Sequence, residues 1–235
     1  MGILIPSLSS GVVSVPAGNA TFGPWTTLFT PPVPLSGFWL QLNTSAIGNG
    51  YGVFNLGFGS GTPSAIPIQY GAFDGGYQGF IYIPLFCPAG VEIQIQLYEE
   101  NGTTDGADVS LIGDINDMDN TCRVIQCVGS TGTGWGVSIG TGWTQIGTSL
   151  NMRCKSMSLL MGTLAATADF NNNSIGFGPS ATSVTPIVNG LVTSSTFTYV
   201  TYAMNFKSLS IPPGQGIWAN GNSGSNSRCM MYLGY

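Results

Sequence analysis

An all-β fold of two tandem antiparallel β-sandwich domains is predicted by three features of the 235-residue sequence. Thirty-five Gly and fourteen Pro are interspersed with many Val, Ile, Thr, Phe and Tyr. Short segments alternate apolar and polar residues between turn-forming clusters. A set of short motifs also recurs once, in order, along the chain. Turn-formers at this density leave little room for long helices, and strands separated by regular turns read as a sandwich or barrel rather than an α/β domain.

Individual strands follow from periodicity. Phe80-Ile81-Tyr82-Ile83 reads as a strand, and Val91 to Leu97 places Val91, Ile93, Ile95 and Leu97 on one buried face. Pro88-Ala89-Gly90 and Glu100-Asn101-Gly102 are turns between such segments. The leader, Ile3 to Pro6 followed by alternating Val13 and Val15, supports two readings. It is an early strand of the first sandwich, the reading alternation favours, or an arm added to a neighbour's sheet edge.

The repeat sets the domain organisation. Trp25-Thr26-Thr27-Leu28 matches Trp143-Thr144-Gln145-Ile146, and Leu56-Gly57-Phe58-Gly59 matches Ile175-Gly176-Phe177-Gly178. Pro88-Ala89-Gly90 matches Pro212-Pro213-Gly214, and Val109 to Gly113 matches Met230 to Gly234. The separation drifts only from 118 to 124 residues. Two units of about 115 residues, each the size of a sandwich with seven or eight strands, account for this spacing. They are placed at residues 1–116, with the N-terminal arm, and 117–235, with the boundary in the polar stretch Asp114 to Asn120.

Composition removes several functions. The chain has no histidine, which excludes Ser-His-Asp and Cys-His catalysis, imidazole zinc sites and histidine pH switches. Five scattered bases (Arg123, Arg153, Lys155, Lys207, Arg228) against ten acids build no phosphate-tracking patch, so no nucleic-acid partner is expected. No apolar run reaches the roughly 18 residues of a membrane helix, and the start lacks a basic signal-peptide region, so neither membrane insertion nor export is expected. Pro6 breaks the myristoylation pattern. Charged residues are 6% of the chain, against about 25% in an ordinary soluble protein. Its surface is therefore largely neutral, with little charge to keep neighbours apart, and favours an assembly.

Gly-Trp-Thr-Gln, Ile-Gly-Phe-Gly, Pro-x-Gly before a strand, and a closing apolar strand ending in Gly together resemble a β-sandwich module of tailed-bacteriophage virion proteins. Gly142 to Gly234 carry the clearer likeness and Gly23 to Gly113 a weaker copy, in which Pro31-Pro32-Val33-Pro34 interrupts a region that reads as a plain strand in the second. The resemblance implies jelly-roll-like sandwiches and a non-enzymatic particle component, a capsid decoration or cement protein or an appendage-anchoring piece. Its implied partners are copies of itself, as a trimer, and the major capsid or tail proteins, in a virion assembled in the host cytoplasm. No cofactor and no catalytic residue are implied.

Candidate chemistry is sparse. Glu92, Glu99, Glu100, Asp105 and Asp108 are dense enough for a glycosidase pair, but Glu99 to Asp108 has the Asn-Gly and Asp-Gly chemistry of a solvated hairpin tip. Calcium at this tip, or at Asp114, Asp117 and Asp119, fits only in ligand type, because neither stretch has the EF-hand spacing. Of the five cysteines, Cys87 aligns with Ile211 as a buried apolar position, and Cys122 and Cys127 sit at an odd spacing that divides them between two faces. Cys154 and Cys229 are the pair for which a bridge is conceivable, with free thiols as the favoured state. Trp25 and Trp143 recur at equivalent places and read as core anchors. Trp39, Trp135 and Trp218 remain as candidate ligand or partner contacts, and the alternative function they imply is a tail-associated receptor- or carbohydrate-binding protein with host glycans as partners.

Overall fold

A computed structural model describes residues 7–43, 52–70, 78–99, 106–116, 118, 121–129, 136–163, 170–194, 201–221 and 227–235. These are almost entirely β. The first half contains β1 (Ser9–Asn19), β2 (Thr26–Phe29), β3 (Gly37–Asn43), β4 (Gly52–Phe58), β5 (Ser64–Tyr70), β6 (Gln78–Ile83), β7 (Ile93–Glu99) and β8 (Gly106–Asp114). The second contains β9 (Ile125–Val128), β10 (Val137–Ser138), β11 (Thr144–Thr148), β12 (Ser156–Thr163), β13 (Phe170–Gly178), β14 (Thr185–Ser194), β15 (Thr201–Phe206), β16 (Gly216–Gly221) and β17 (Ser227–Gly234).

Pairing repeats between the halves. In the first, β1–β8–β3–β6 and β2–β7–β4–β5 are two ladders joined through β1, whose Ser9–Pro16 segment runs antiparallel to β8 while Ala17–Asn19 runs parallel to β7. In the second, β17–β12–β15 and β11–β16–β13–β14 have the same neighbours, and β9 and β10 cover opposite ends of β17 where β1 covers β8. Close approach of β1 to β8 demands Gly106, where a Cβ would strike the Val15 carbonyl.

Β-strand alternation builds the first core. In β8, Ala107, Val109 and Leu111 are buried while Asp108 and Ile112 are exposed. They meet Val15, Phe38, Leu40, Ile81 and Ile83, together with Phe54, Leu56, Ile93, Ile95 and Leu97 from the other ladder. The second core holds Met157, Leu159, Met161, Ile175, Ile217, Met231 and Leu233. The intervening residues Leu160, Met230 and Tyr232 belong to the first core, so β12 and β17 are buried on both faces and join the halves. Full burial of each such side chain is worth about 1.5–3 kcal/mol.

Several expectations change. The leader strand β1 pairs within its own chain, which removes the neighbour-arm reading for Val13 and Val15; Ile3 to Pro6 lie outside the described residues. Asp114 is the buried end of β8 rather than a linker residue. Residues 151–152 form a bend and Leu150 and Arg153 lie in no strand, so the second half has no plain strand opposite Pro31-Pro32-Val33-Pro34. Both segments cross between sheets and receive an equivalent turn: Gly90 N donates to Pro31 O at 2.9 Å, and Gly214 N to Leu150 O at 3.0 Å. The last repeat anchor also slips by one residue. Leu111 pairs with Leu40 as Met231 pairs with Leu159, so Leu111 corresponds to Met231 rather than Tyr232.

Candidate functional site

The outward face of β1–β8–β3–β6 carries three exposed large apolar residues, Val12, Phe80 and Ile112. Ladder register makes rows across it. Val12 pairs with Ser110, Ser110 with Gln41 and Gln41 with Phe80; in the next row Ile112 pairs with Trp39 and Trp39 with Tyr82. Val12 is 75% exposed, Phe80 44% and Ile112 43%. The Trp39 and Tyr82 rings lie 4.8 Å apart, and Ser110 Oγ donates to Gln41 Oε1 at 3.2 Å. The corresponding positions of the second half are Met230 for Ser110, Leu160 for Gln41 and Tyr232 for Ile112, and all three are buried against the first half. One half therefore covers the other's face, and its own stays open.

Beside this face, at the junction of the halves, lies a cleft of about 260 Å³ lined by Ser36, Tyr82, Asn116, Lys155, Ser156 and Lys207 among others. Three of these lining residues, Tyr82, Asn116 and Lys207, bond to the adjoining buried Asp114. Lys207 Nζ from the second half donates to Oδ2 at 2.7 Å, and Tyr82 OH donates to the same oxygen at 3.0 Å. Asn116 donates to Oδ1 through its backbone N and Nδ2. Burial pushes the Asp114 pKa upward, but the donors from Lys207 and Asn116 outweigh it and hold the carboxyl below its usual value. The same burial, with the Asp114 charge, pushes the Tyr82 hydroxyl well above its ordinary range. Both Asp114 oxygens accept from donors, and Lys207 forms an ion pair with Oδ2. Asp117 and Asp119 lie outside the described residues.

The other candidates are dispersed. Glu92 Oε2 accepts from Thr27 Oγ1 and Gln94 Nε2, and Asp108 is exposed. Glu100 and Asp105 fall outside the described residues, as does the side chain of Glu99. Among the described residues no group of three or more Cys, Asp or Glu side chains could hold a metal ion. Cys87, Cys154 and Cys229 are free thiols. Cys229 pairs with Met161, seven residues along from Cys154, so roughly 20 Å of strand separates the two and no bridge forms. Burial raises the Cys87 and Cys154 thiols to about 11 and Cys229 to about 12.

Trp25 and Trp143 are half-buried and belong to neither core; the inward residues of their strands are Leu28 and Ile146. Trp39 lies on the uncovered face. Trp218 faces outward from β16 and donates Nε1–H to Gly178 O at 2.9 Å. Trp135 lies outside the described residues. Trp39 and Trp218 are thus on different sheets, and no shared aromatic site joins them. The contributions of Val12, Phe80, Ile112, Asp114 and Lys207 were missed. Apolar doublets were the available signal for the first three: Val12-Val13, Phe80-Ile81 and Leu111-Ile112 each place one apolar residue on each face of a strand. The Asp114–Lys207 pair spans 93 positions and has no local signal.

No family model matches the chain, and no curated protein matches it. Among solved structures, the chain is similar over 98% of its length to PNGF-II, at 10% identity and a TM-score of 0.44, and spans 64% of that chain. It is also similar over 97% of its length to a chain of infectious bursal disease virus Gt strain, at 12% identity and a TM-score of 0.25, spanning 70% of that chain.

Proposed function

We propose that the protein is a non-enzymatic structural subunit of a bacteriophage particle, a capsid decoration, cement or appendage-anchoring component built as two tandem jelly-roll-like sandwiches. The observation that carries the reading is the uncovered face of Val12, Trp39, Phe80 and Ile112, whose counterpart in the second half is buried within the chain. An outward apolar sheet face flanked by neutral Ser and Gln gains from contact and meets little charge repulsion. Its occupants on this reading are copies of the same chain, as the trimer that the virion-module resemblance implies, and neighbouring capsid or tail subunits. The acids take no catalytic part.

Light scattering over a dilution series of the purified chain tests the reading. The expected result is a concentration-dependent oligomer that Val12→Lys combined with Ile112→Lys dissociates, with little change in thermal midpoint because both positions are exposed. A stable monomer at high concentration that also fails to join particles overturns it. Replacing Glu92, Glu99 and Glu100 by Gln is expected to leave particle incorporation intact. A native polysaccharide-cleaving activity that falls by about two to four orders of magnitude in that variant would refute the non-enzymatic part.

A further inference from the structure

We propose that the cleft at the junction of the halves binds a small oxyanion, a phosphate or carboxylate group, a function separate from subunit contact. Its wall holds hydrogen-bond donors with capacity to spare. Lys155 and Lys207, two of the chain's five bases, both line it. Lys155 is exposed and forms no ion pair among the described residues. Lys207 Nζ has three hydrogens and commits one to Asp114 Oδ2. Ser156 also lines the cleft, is 7% exposed, and its Oγ has no hydrogen-bond partner among the described residues. Ser208 adds a further hydroxyl. An ionised oxyanion only accepts hydrogen bonds, so ammonium groups and unspent hydroxyls are its complement. Asp114 adjoins the cleft, but its side chain is 5% exposed and both oxygens are engaged, so it anchors Lys207 without filling the space. At about 260 Å³ the cleft falls just below the range of drug-sized sites, which suits a ligand of few atoms.

Comparison of the halves shows that the fold requires neither lysine. The Phe38–Ile83 pair of the first half corresponds to the Met157–Phe206 pair of the second. Ser36 N donates to Asp114 O just as Lys155 N donates to Gly234 O, each at 2.8 Å. Ser36 therefore corresponds to Lys155, and Pro84 to Lys207. The first half has no base at either position, so strand pairing there demands none. Between Lys207 and Leu209, Ser208 has a φ of +62°, in the left-handed region that a residue with a Cβ occupies at a cost. Beyond this turn Leu209 N donates to Lys155 O at 2.8 Å, which holds the Lys207 segment beside Lys155. Two ammonium groups on one small cleft repel each other, and a bound anion relieves that repulsion. Ser36 and Tyr82 come from the first half, and Lys155, Ser156, Lys207 and Ser208 from the second, so the anion also bridges the junction.

Calorimetric titration of the full-length protein, at constant ionic strength set with sodium chloride, tests the proposal. Inorganic phosphate and succinate are the probes, which separates the two sources of the oxyanion, and glycerol is the neutral comparator. At least one of the two anions is expected to bind saturably at a single site, with millimolar or tighter affinity. Lys155→Gln should weaken it about tenfold or more, and Ser156→Ala about threefold or more, whereas Lys155→Arg keeps the charge and retains binding. Arg153→Gln removes the same charge from a base that does not line the cleft, and is expected to leave the affinity unchanged. Lys155 and Arg153 are both exposed, so their variants should melt as the wild type does. Absence of saturable binding by either anion, equal weakening by Arg153→Gln and Lys155→Gln, or full affinity in Lys155→Gln overturns the proposal. Anion binding by a chain that stays monomeric and fails to join particles would sink the subunit reading and leave this one standing.

Discussion

Replacing Lys207 by Met removes the cation from the junction while keeping most of its apolar stem. Asp114 Oδ2 then loses a 2.7 Å donor and remains in a side chain only 5% exposed, with Tyr82 and Asn116 as its other partners. Stripping the partner from a fully buried carboxylate costs about 3–5 kcal/mol, whereas exposed pairs are worth about 0.2–1 kcal/mol. Lys207 is 40% exposed, so solvent screening places this pair between those limits, at about 1–3 kcal/mol. For a chain of this length that is a fall in Tm of roughly 2–10 °C at pH 7. The pH dependence carries the sign. In the wild type the folded Asp114 pKa is below its unfolded value, so its contribution is complete above about pH 4 and is lost as pH falls through the lowered pKa. Without Lys207 the carboxyl loses both that donor and the nearby charge while burial still pushes its pKa up, so the folded pKa rises toward the unfolded one and acid costs the variant less than the wild type. The Tm gap between the two proteins therefore narrows on going from pH 7 to pH 3, as circular dichroism melts would record. Asp114→Asn in the Lys207→Met background should recover part of the loss. A gap below 1 °C at pH 7, or one that is constant with pH, would show that the ion pair does not hold the halves together.

Leu160→Ala and Met230→Ala are each expected to cost about 2–5 kcal/mol and to lower one common unfolding transition, since both side chains come from the second half but pack in the first core; calorimetry showing two separated transitions would contradict this. Cys87, Cys154 and Cys229 should resist a thiol-specific disulfide reagent at pH 8 in the native protein and react on unfolding, because burial places their pKa values at about 11 to 12. Rapid native labelling of Cys229 would be incompatible with its complete burial. Gly106→Ala should destabilise the fold by more than the few tenths typical of a surface change, because the new methyl meets the Val15 carbonyl, and chemical denaturation would measure it.

Legibility in the sequence followed how many faces of a strand are buried. In β8 and β7 one face is wet, alternation survives, and Val109, Leu111, Ile93 and Ile95 could be assigned inward from pattern alone. In β17 both faces are covered, so Met230-Met231-Tyr232-Leu233 has no alternation to read, and the repeat match slipped by one residue there. The turn motif Pro88-Ala89-Gly90 was legible because Gly90 and Gly214 both need a left-handed backbone, with φ of +75° and +69°. Trp25 and Trp143 misled for the opposite reason. Their recurrence reflects a shared position before β2 and β11, and Trp25 packs over Gly57 outside the core cluster.

The two halves share a ladder order and even the side-chain bond to Gly59 or Gly178, so their differences cannot be ascribed to topology. They differ in what covers each outer face. Tyr232, Met230 and Leu160 are apolar because the first half lies on them, and that burial is intramolecular, with no loss of translational freedom. Val12, Phe80 and Ile112 occupy the same layer on the first half and are exposed. On the proposed function, a neighbouring subunit supplies the cover for this face. A contact copied from the junction would set the second half of one chain on the first half of the next. Such a head-to-tail contact uses two different surfaces, so it either closes into a ring or grows without limit. The Val12→Lys and Ile112→Lys changes remove only one of those two surfaces. Mixing this variant with wild-type chains therefore distinguishes the arrangements: a head-to-tail assembly accepts the variant at one end and stops there, whereas a two-fold contact through the same face on both partners excludes it from the start.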